Sequence, residues 1–164
     1  MNIYITTGTF SFLKRLQEKR ANLPLILLNN PKTAALIHET NQKTIFASAR
    51  KFEVFDEFGP LTQEGFYVLY NIPVSIEDRP SFEFELKNKL IAVKNQYGIN
   101  SMRLLRPIKS ETYVIMTSWI NEQAYKKWDA EGLFTPKTNL FNTQVLFTSK
   151  PYKVNFYAYK EDNN

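Results

Sequence analysis

Residues 103–129, RLLRPIKSETYVIMTSWINEQAYKKWD, decide how the chain folds. Met102–Pro107 is a short apolar run that stops at a proline, and Ile108–Ser110 is a polar connection. Thr112–Trp119 is rich in β-branched and aromatic side chains, as a half-buried pleated surface prefers. Asn121 is a good helix N-cap, and Glu122 follows it in the first turn, where the helix dipole favours a carboxylate. Ala124, Tyr125 and Trp128 then share one helical face. The stretch therefore reads as strand, turn, strand and helix, with an indole on the inner side of the helix. A tryptophan there is ordinary core material.

The same order extends to both sides. Phe66–Val74 (FYVLYNIPV) reads as a strand with Pro73 near its end. Asp78 is an N-cap candidate, with Pro80 tolerated in the first turn. A helix follows with Phe82, Leu86, Leu90, Val93 and Tyr97 as its inner stripe, ended by Gly98. After a loop-rich span from Glu131 to Lys150, Tyr152–Tyr159 alternates as a last strand. The sum is β-α-β-β-α-β, the ferredoxin-like order, an α+β fold. One sheet face of such a domain is left open and needs cover, which makes a homodimer, and hence a dimeric α+β barrel, the expectation.

Before it lies a smaller region. Asn2–Thr7 alternates as a strand, Thr9 can cap a helix carrying Phe12, Leu13 and Leu16, and Leu23–Leu28 and Ala34–Glu39 form a hairpin around Asn29–Pro31. Thr44–Ser48 reads as a fourth strand and Lys51–Phe58 as a short helix stopped at Gly59 and Pro60. Residues 59–65 are the expected boundary, giving a small α/β N-terminal domain (1–60) and a ferredoxin-like domain (61–164). The first is too short for a secure core of its own and should pack on the second.

The chain has 164 residues, 43% hydrophobic and 23% charged, so its composition is globular. Aromatics reach 15%, which suits a core and also a pocket for a flat ligand. A net charge of +5 permits an anionic partner without choosing one. The densest basic group, Lys14, Arg15, Lys19 and Arg20, is spaced as a solvated helix face, so no nucleic-acid partner is expected. Zero cysteines exclude disulfides, thiolate metal sites and a Cys nucleophile. No apolar stretch approaches the roughly 20 residues of a membrane span, and the expectation is a cytoplasmic protein without a membrane partner.

Chemistry-bearing residues are few. No glycine-rich phosphate loop and no metal-spaced His/Asp/Glu cluster occurs. His38 is the only histidine and lies in a strand of the first region, where a structural role is the simpler reading. Asn71 interrupts an otherwise apolar strand. Its amide needs partners if buried, and it fits either a ladder irregularity or an amide aimed into a pocket.

The runs RLLRP, TYVI and TSWINEQAYKKW, together with MNIYITTGT, LIHET, EVFDEFG and LYNIPV, resemble the antibiotic-biosynthesis-monooxygenase superfamily. The resemblance is to a two-domain subgroup with Isd-type haem-degrading monooxygenases of the HmoB kind and staphylococcal TRAP proteins. It implies haem as substrate and cofactor, opened with O2 and an external electron donor to release iron. It also implies site residues. Asn71 matches the family Asn near the iron-bound oxygen, and Trp128 matches the Trp that presses on the porphyrin. The family's proximal histidine falls at Thr138, a poor iron ligand, which leaves three outcomes open: another ligand such as the oxygen of Tyr125, one turn before Trp128; haem held by apolar packing and Arg/Lys contacts with water on iron; or loss of haem chemistry. Phe66, Phe82, Leu86 and Leu90 would be wall residues, and Arg79, Arg103 and Arg106 propionate partners. Within the same resemblance, a non-enzymatic regulatory or stress protein and a metal-free oxygenase of small aromatics are the alternatives.

Overall fold

Backbone pairing, more than local propensity, arranges this chain. In a computed structural model, which describes residues 1–130 and 149–161, the elements run β1 (Asn2–Gly8), α1 (Phe10–Lys19), β2 (Leu25–Asn29), β3 (Ala34–Thr40), β4 (Arg50–Phe58), β5 (Phe66–Pro73), α2 (Arg79–Leu90), β6 (Ile99–Ile108), β7 (Thr112–Trp119), α3 (Glu122–Ala130) and β8 (Tyr152–Ala158). The strands close into one barrel in the order β1-β3-β2-β8-β5-β7-β6-β4.

Each half of the chain contributes four neighbouring strands. Strands β4-β1-β3-β2 come from the first half and β8-β5-β7-β6 from the second, each in ferredoxin-like order. The seams are antiparallel: Leu28 opposite Ala158 on one side, and Lys51 to Phe58 opposite Ile108 to Met102 on the other. A closed barrel has no free edge. Its interior is a single core in which Ile3, Ile5, Ile37 and Phe52 from the first half meet Tyr67, Leu105, Met116 and Phe156 from the second. The expected dimeric barrel is thus completed within one chain: the sheet face that called for a second copy is covered by the first half.

Two expected elements differ. Lys51–Phe58 lies in strand β4, not a helix, and Thr44–Ser48 is irregular, not a strand. Strand β4 is bonded on both edges, to β1 and to β6, with a register shift between Val54 and Asp56. That ladder overrides the local helical pattern of KFEVFDEF. Helix α2 also ends earlier than expected. It passes into a 3-10 turn at Ile91–Asn95, so Phe82, Leu86, Leu90 and Val93 are buried while Tyr97 is 78% exposed.

Helices α2 and α3 cover the outer face of the second half. Asn121 caps α3 as expected, its side-chain oxygen accepting the Ala124 N–H at 2.8 Å. Gly98, at φ +86°, turns the chain into β6, and a Cβ there would stand 2.6 Å from that of Ala124. Helix α1 covers the first half through Leu13. No helix among the described residues is long and apolar enough to cross a membrane.

Candidate functional site

Strand β5 separates two compartments. Phe66, Val68, Tyr70 and Ile72 face the helices, while Tyr67 and Leu69 face the barrel interior. A strand alternates its faces residue by residue, and no register shift interrupts β5 against β7. Asn71 therefore points into the barrel, as its cross-strand neighbour Val114 does. Trp128 lies on the helix side. The two residues matched to the haem-degrading site are on opposite faces of the sheet, and the β5 side chain on the side of Trp128 is Tyr70.

The helix-side compartment is filled by rings. Trp128 is 3% exposed and lies 5.0 Å, centroid to centroid, from Trp119 and 6.3 Å from Tyr125. Tyr125 in turn meets Phe66 at 5.5 Å, and Phe82 meets Tyr113 at 4.9 Å. Leu86 and Leu90 belong to the same core. Offset and tilted contacts of this kind are how aromatic cores pack.

Polar groups on this side are engaged with one another. The hydroxyls of Tyr70 and Tyr125 are 2.8 Å apart, Lys153 Nζ donates to Tyr125 at 2.9 Å, and Asp129 takes a bond from Tyr70 and pairs with Lys153 at 3.2 Å. Burial raises both tyrosine pKa values; for Tyr70 the bond to Tyr125 and the charge of Asp129 add to the rise. Burial alone would lower Lys153, but its bonds to Tyr125 and Asp129 outweigh that and raise it. The tyrosines stay neutral and the lysine charged near pH 7.

The arginines matched to propionate binding are also engaged. Arg103 is 4% exposed; it pairs with Glu39 at 2.6 Å and donates to the Phe58, Gly59 and Met102 carbonyls. Arg106 pairs with Glu83, and with Glu53 at 3.2 Å. Arg79 donates to the Ser110 carbonyl and lies over the Tyr113 ring. His38 is buried between Tyr4 and Phe46, and burial lowers its pKa, which keeps the ring neutral. Thr138 and Pro136 lie outside the described residues. Among the described residues no group of three or more His, Cys, Asp or Glu could hold a metal.

These side chains do not fit haem as they stand. The rings nominated as pocket walls pack on neighbouring rings, Phe66 on Tyr125 and Phe82 on Tyr113, Tyr125 spends its hydroxyl on Tyr70 and Lys153, and Asn71 is across the sheet. Phe66, Phe82, Leu86, Leu90, Tyr125 and Trp128 lie together on the helix side of the sheet; Tyr70, which joins them, was not singled out from sequence, though its odd-even position relative to Phe66 was the available signal.

No family model matches the chain. Its fold is shared with a Listeria monocytogenes ferredoxin-fold protein related to antibiotic biosynthesis monooxygenases, at a TM-score of 0.81 and 21% identity over 98% of this chain and 95% of that one. A heme-degrading enzyme from Listeria monocytogenes matches at 0.75 and 18% identity, covering 96% and 99%. These likenesses define the class by fold alone, a closed α+β barrel shared with those proteins. A structure described as a major regulator of staphylococcal pathogenesis matches at 0.88 with 23% identity, covering 98% and 100%. The signal transduction protein TRAP of Staphylococcus aureus is 31% identical over 136 residues, 80% of this chain and 79% of that protein. The chain belongs to the TRAP family.

Proposed function

We propose that this chain is a non-enzymatic regulatory protein of the TRAP type, acting through binding and not through haem turnover. One observation carries the reading: Asn71 and Trp128, which a haem-degrading site needs on one porphyrin, face different compartments, and the compartment of Trp128 is filled by its neighbours. Membership of a family whose named member is a signal transduction protein supports it. The competing reading is haem binding and degradation with O2 and an external reductant, and the shared fold is its support.

A haem titration of the purified protein, followed in the Soret region, separates them. The expected result is no saturable shift, and no bleaching or ferrous iron release after ascorbate is added in air. A saturable shift without bleaching would mean that the ring core opens for a porphyrin and that haem is bound but not turned over; turnover overturns the proposal. Bleaching with iron release after a saturable shift would establish the oxygenase reading.

A further inference from the structure

Two arginines point into the barrel, one near each end. Arg103 shares the parity of Leu105 and is opposite Met116, and five contacts saturate it: Glu39 through two nitrogens, and three backbone carbonyls. Arg50 shares the parity of Phe52 and is opposite Ile5. It is half-buried, and its guanidinium lies 5.0 Å from the Phe52 ring centroid. Among the described residues no side-chain hydrogen bond or ion pair engages it, and the nearby Tyr152 hydroxyl is a neutral group near pH 7, not a counter-charge. A desolvated cation without a counter-charge is costly to keep, and proteins seldom retain one idle.

Arg50 lines a cavity of about 650 Å3 at this end of the barrel, with Phe46, Ala49, Ile108, Thr112 and Tyr152. Lys51 and Lys109 stand at its rim, and no acidic side chain lines it among the described residues. Lys109 holds a left-handed backbone (φ 67°), an uncommon state for a non-glycine residue and one concentrated at functional loops. Barrel mouths are habitual ligand sites, and this volume lies within the usual range.

A second unsatisfied group lies in the same barrel interior, behind the residues that line the cavity. Asn71, directly opposite Tyr152 in the ladder and facing the same interior, is 1% exposed. Its amide nitrogen donates to the Leu69 carbonyl at 3.2 Å, but its Oδ1 has no donor among the described residues. A buried amide oxygen left unpaired costs about 1–3 kcal/mol. The opposite end shows the contrast: there Tyr67 bonds both the N–H and the carbonyl of Thr62, and Arg103 is fully engaged.

We propose that the barrel mouth binds a small organic anion. Its carboxylate or phosphate oxygens meet the Arg50 fork, and its apolar body lies against Phe46 and Ile108. The planar guanidinium suits two parallel bonds to such an oxyanion. The site is independent of the reading above, because the sheet separates it from the helix-side compartment; a haem titration does not probe it.

Two dyes with the same aromatic body and the same N–H, differing in the sulfonate alone, test it: the anionic anilinonaphthalene sulfonate and the neutral N-phenylnaphthylamine. Fluorescence titration of the parent protein should give saturable binding, with the sulfonate tighter by about tenfold or more, the worth of one charge-assisted pair. Arg50→Gln should remove that preference with an unchanged far-UV dichroism spectrum. Ala47→Trp, on the irregular loop lining the cavity, should weaken both dyes. Equal affinity of the two dyes for the parent protein, or an undiminished sulfonate preference in a folded Arg50→Gln variant, overturns the proposal. If Arg50→Gln does not fold, Ala47→Trp decides: retained dye binding overturns it and lost binding supports it.

Discussion

Trp128 is a residue whose stability cost reveals its role. Its indole is enclosed by Trp119 and Tyr125, and its position on the inner face of α3 follows from spacing alone. A pocket wall awaiting a ligand tolerates truncation, whereas a packed core residue does not. We expect Trp128→Ala to lower the unfolding free energy by about 3–5 kcal/mol, as large-to-small changes of buried aromatics do. That is a large share of the roughly 5–15 kcal/mol available to a small protein. Urea unfolding followed by circular dichroism measures it, and a cost below about 1 kcal/mol would return Trp128 to the status of a ligand-facing wall. Asn71 shows the limit of reading one residue from sequence. Its oddity in an apolar strand was visible, but its direction was not, because a shift of one position moves a strand residue to the other face. Only the cross-strand partners Val114 and Tyr152 assign it to the barrel interior.

At the scale of elements, Glu83 ties α2 to the sheet. Its carboxylate takes bonds from Arg106 on β6 and, at 2.5 Å, from Tyr113 on β7. Burial would raise its pKa, yet those bonds and the Arg106 charge outweigh burial and hold it below the ordinary glutamate value. A carboxylate with a depressed folded-state pKa stabilises the fold above its unfolded value, and this contribution is lost as pH falls through the folded one. The melting temperature of the parent protein should therefore fall more steeply than that of Glu83→Gln as the pH drops below about 4.5. Parallel melting curves across that range would show that the helix is not held by this charge. The elements around Glu83 were legible because each carries its own periodicity: the α2 stripe, the β-branched run of β7 and the Asn121 cap. Strand β4 was not legible. KFEVFDEF has no clean alternation around its register shift, and what makes it a strand is the pair of neighbours, β1 and β6, that it joins.

At the scale of the molecule, the two halves each look like a ferredoxin-like unit, but neither has a closed surface without the other. The first half has four strands and one helix, with an irregular segment at 41–49 where the second half has α3 at the corresponding place. Its inward residues Ile3, Ile5, Ile37 and Phe52 are buried only because β5 to β8 complete the barrel. A chain of about 60 residues buries too little of its own surface to be secure even when its core is whole. Fragments 1–60 and 61–164, made separately by division in the connecting segment, test whether the halves are autonomous. Fragment 1–60 alone should show no cooperative thermal transition. Mixing the two should restore one, with a midpoint that rises with concentration because association now supplies the barrel seams. A cooperative transition in 1–60 by itself would mean that the sheet β4-β1-β3-β2 and α1 suffice, and that the shared interior adds to a domain already formed. The seams favour the first outcome: among the described residues the β2–β8 ladder pairs Leu28 and Asn29, flanked by bonds from Tyr159 to Leu27 and from Asn30 to Asn155, while β4 meets β6 along nearly its whole length. Recombination should therefore depend chiefly on the β4–β6 ladder and the apolar interior behind it.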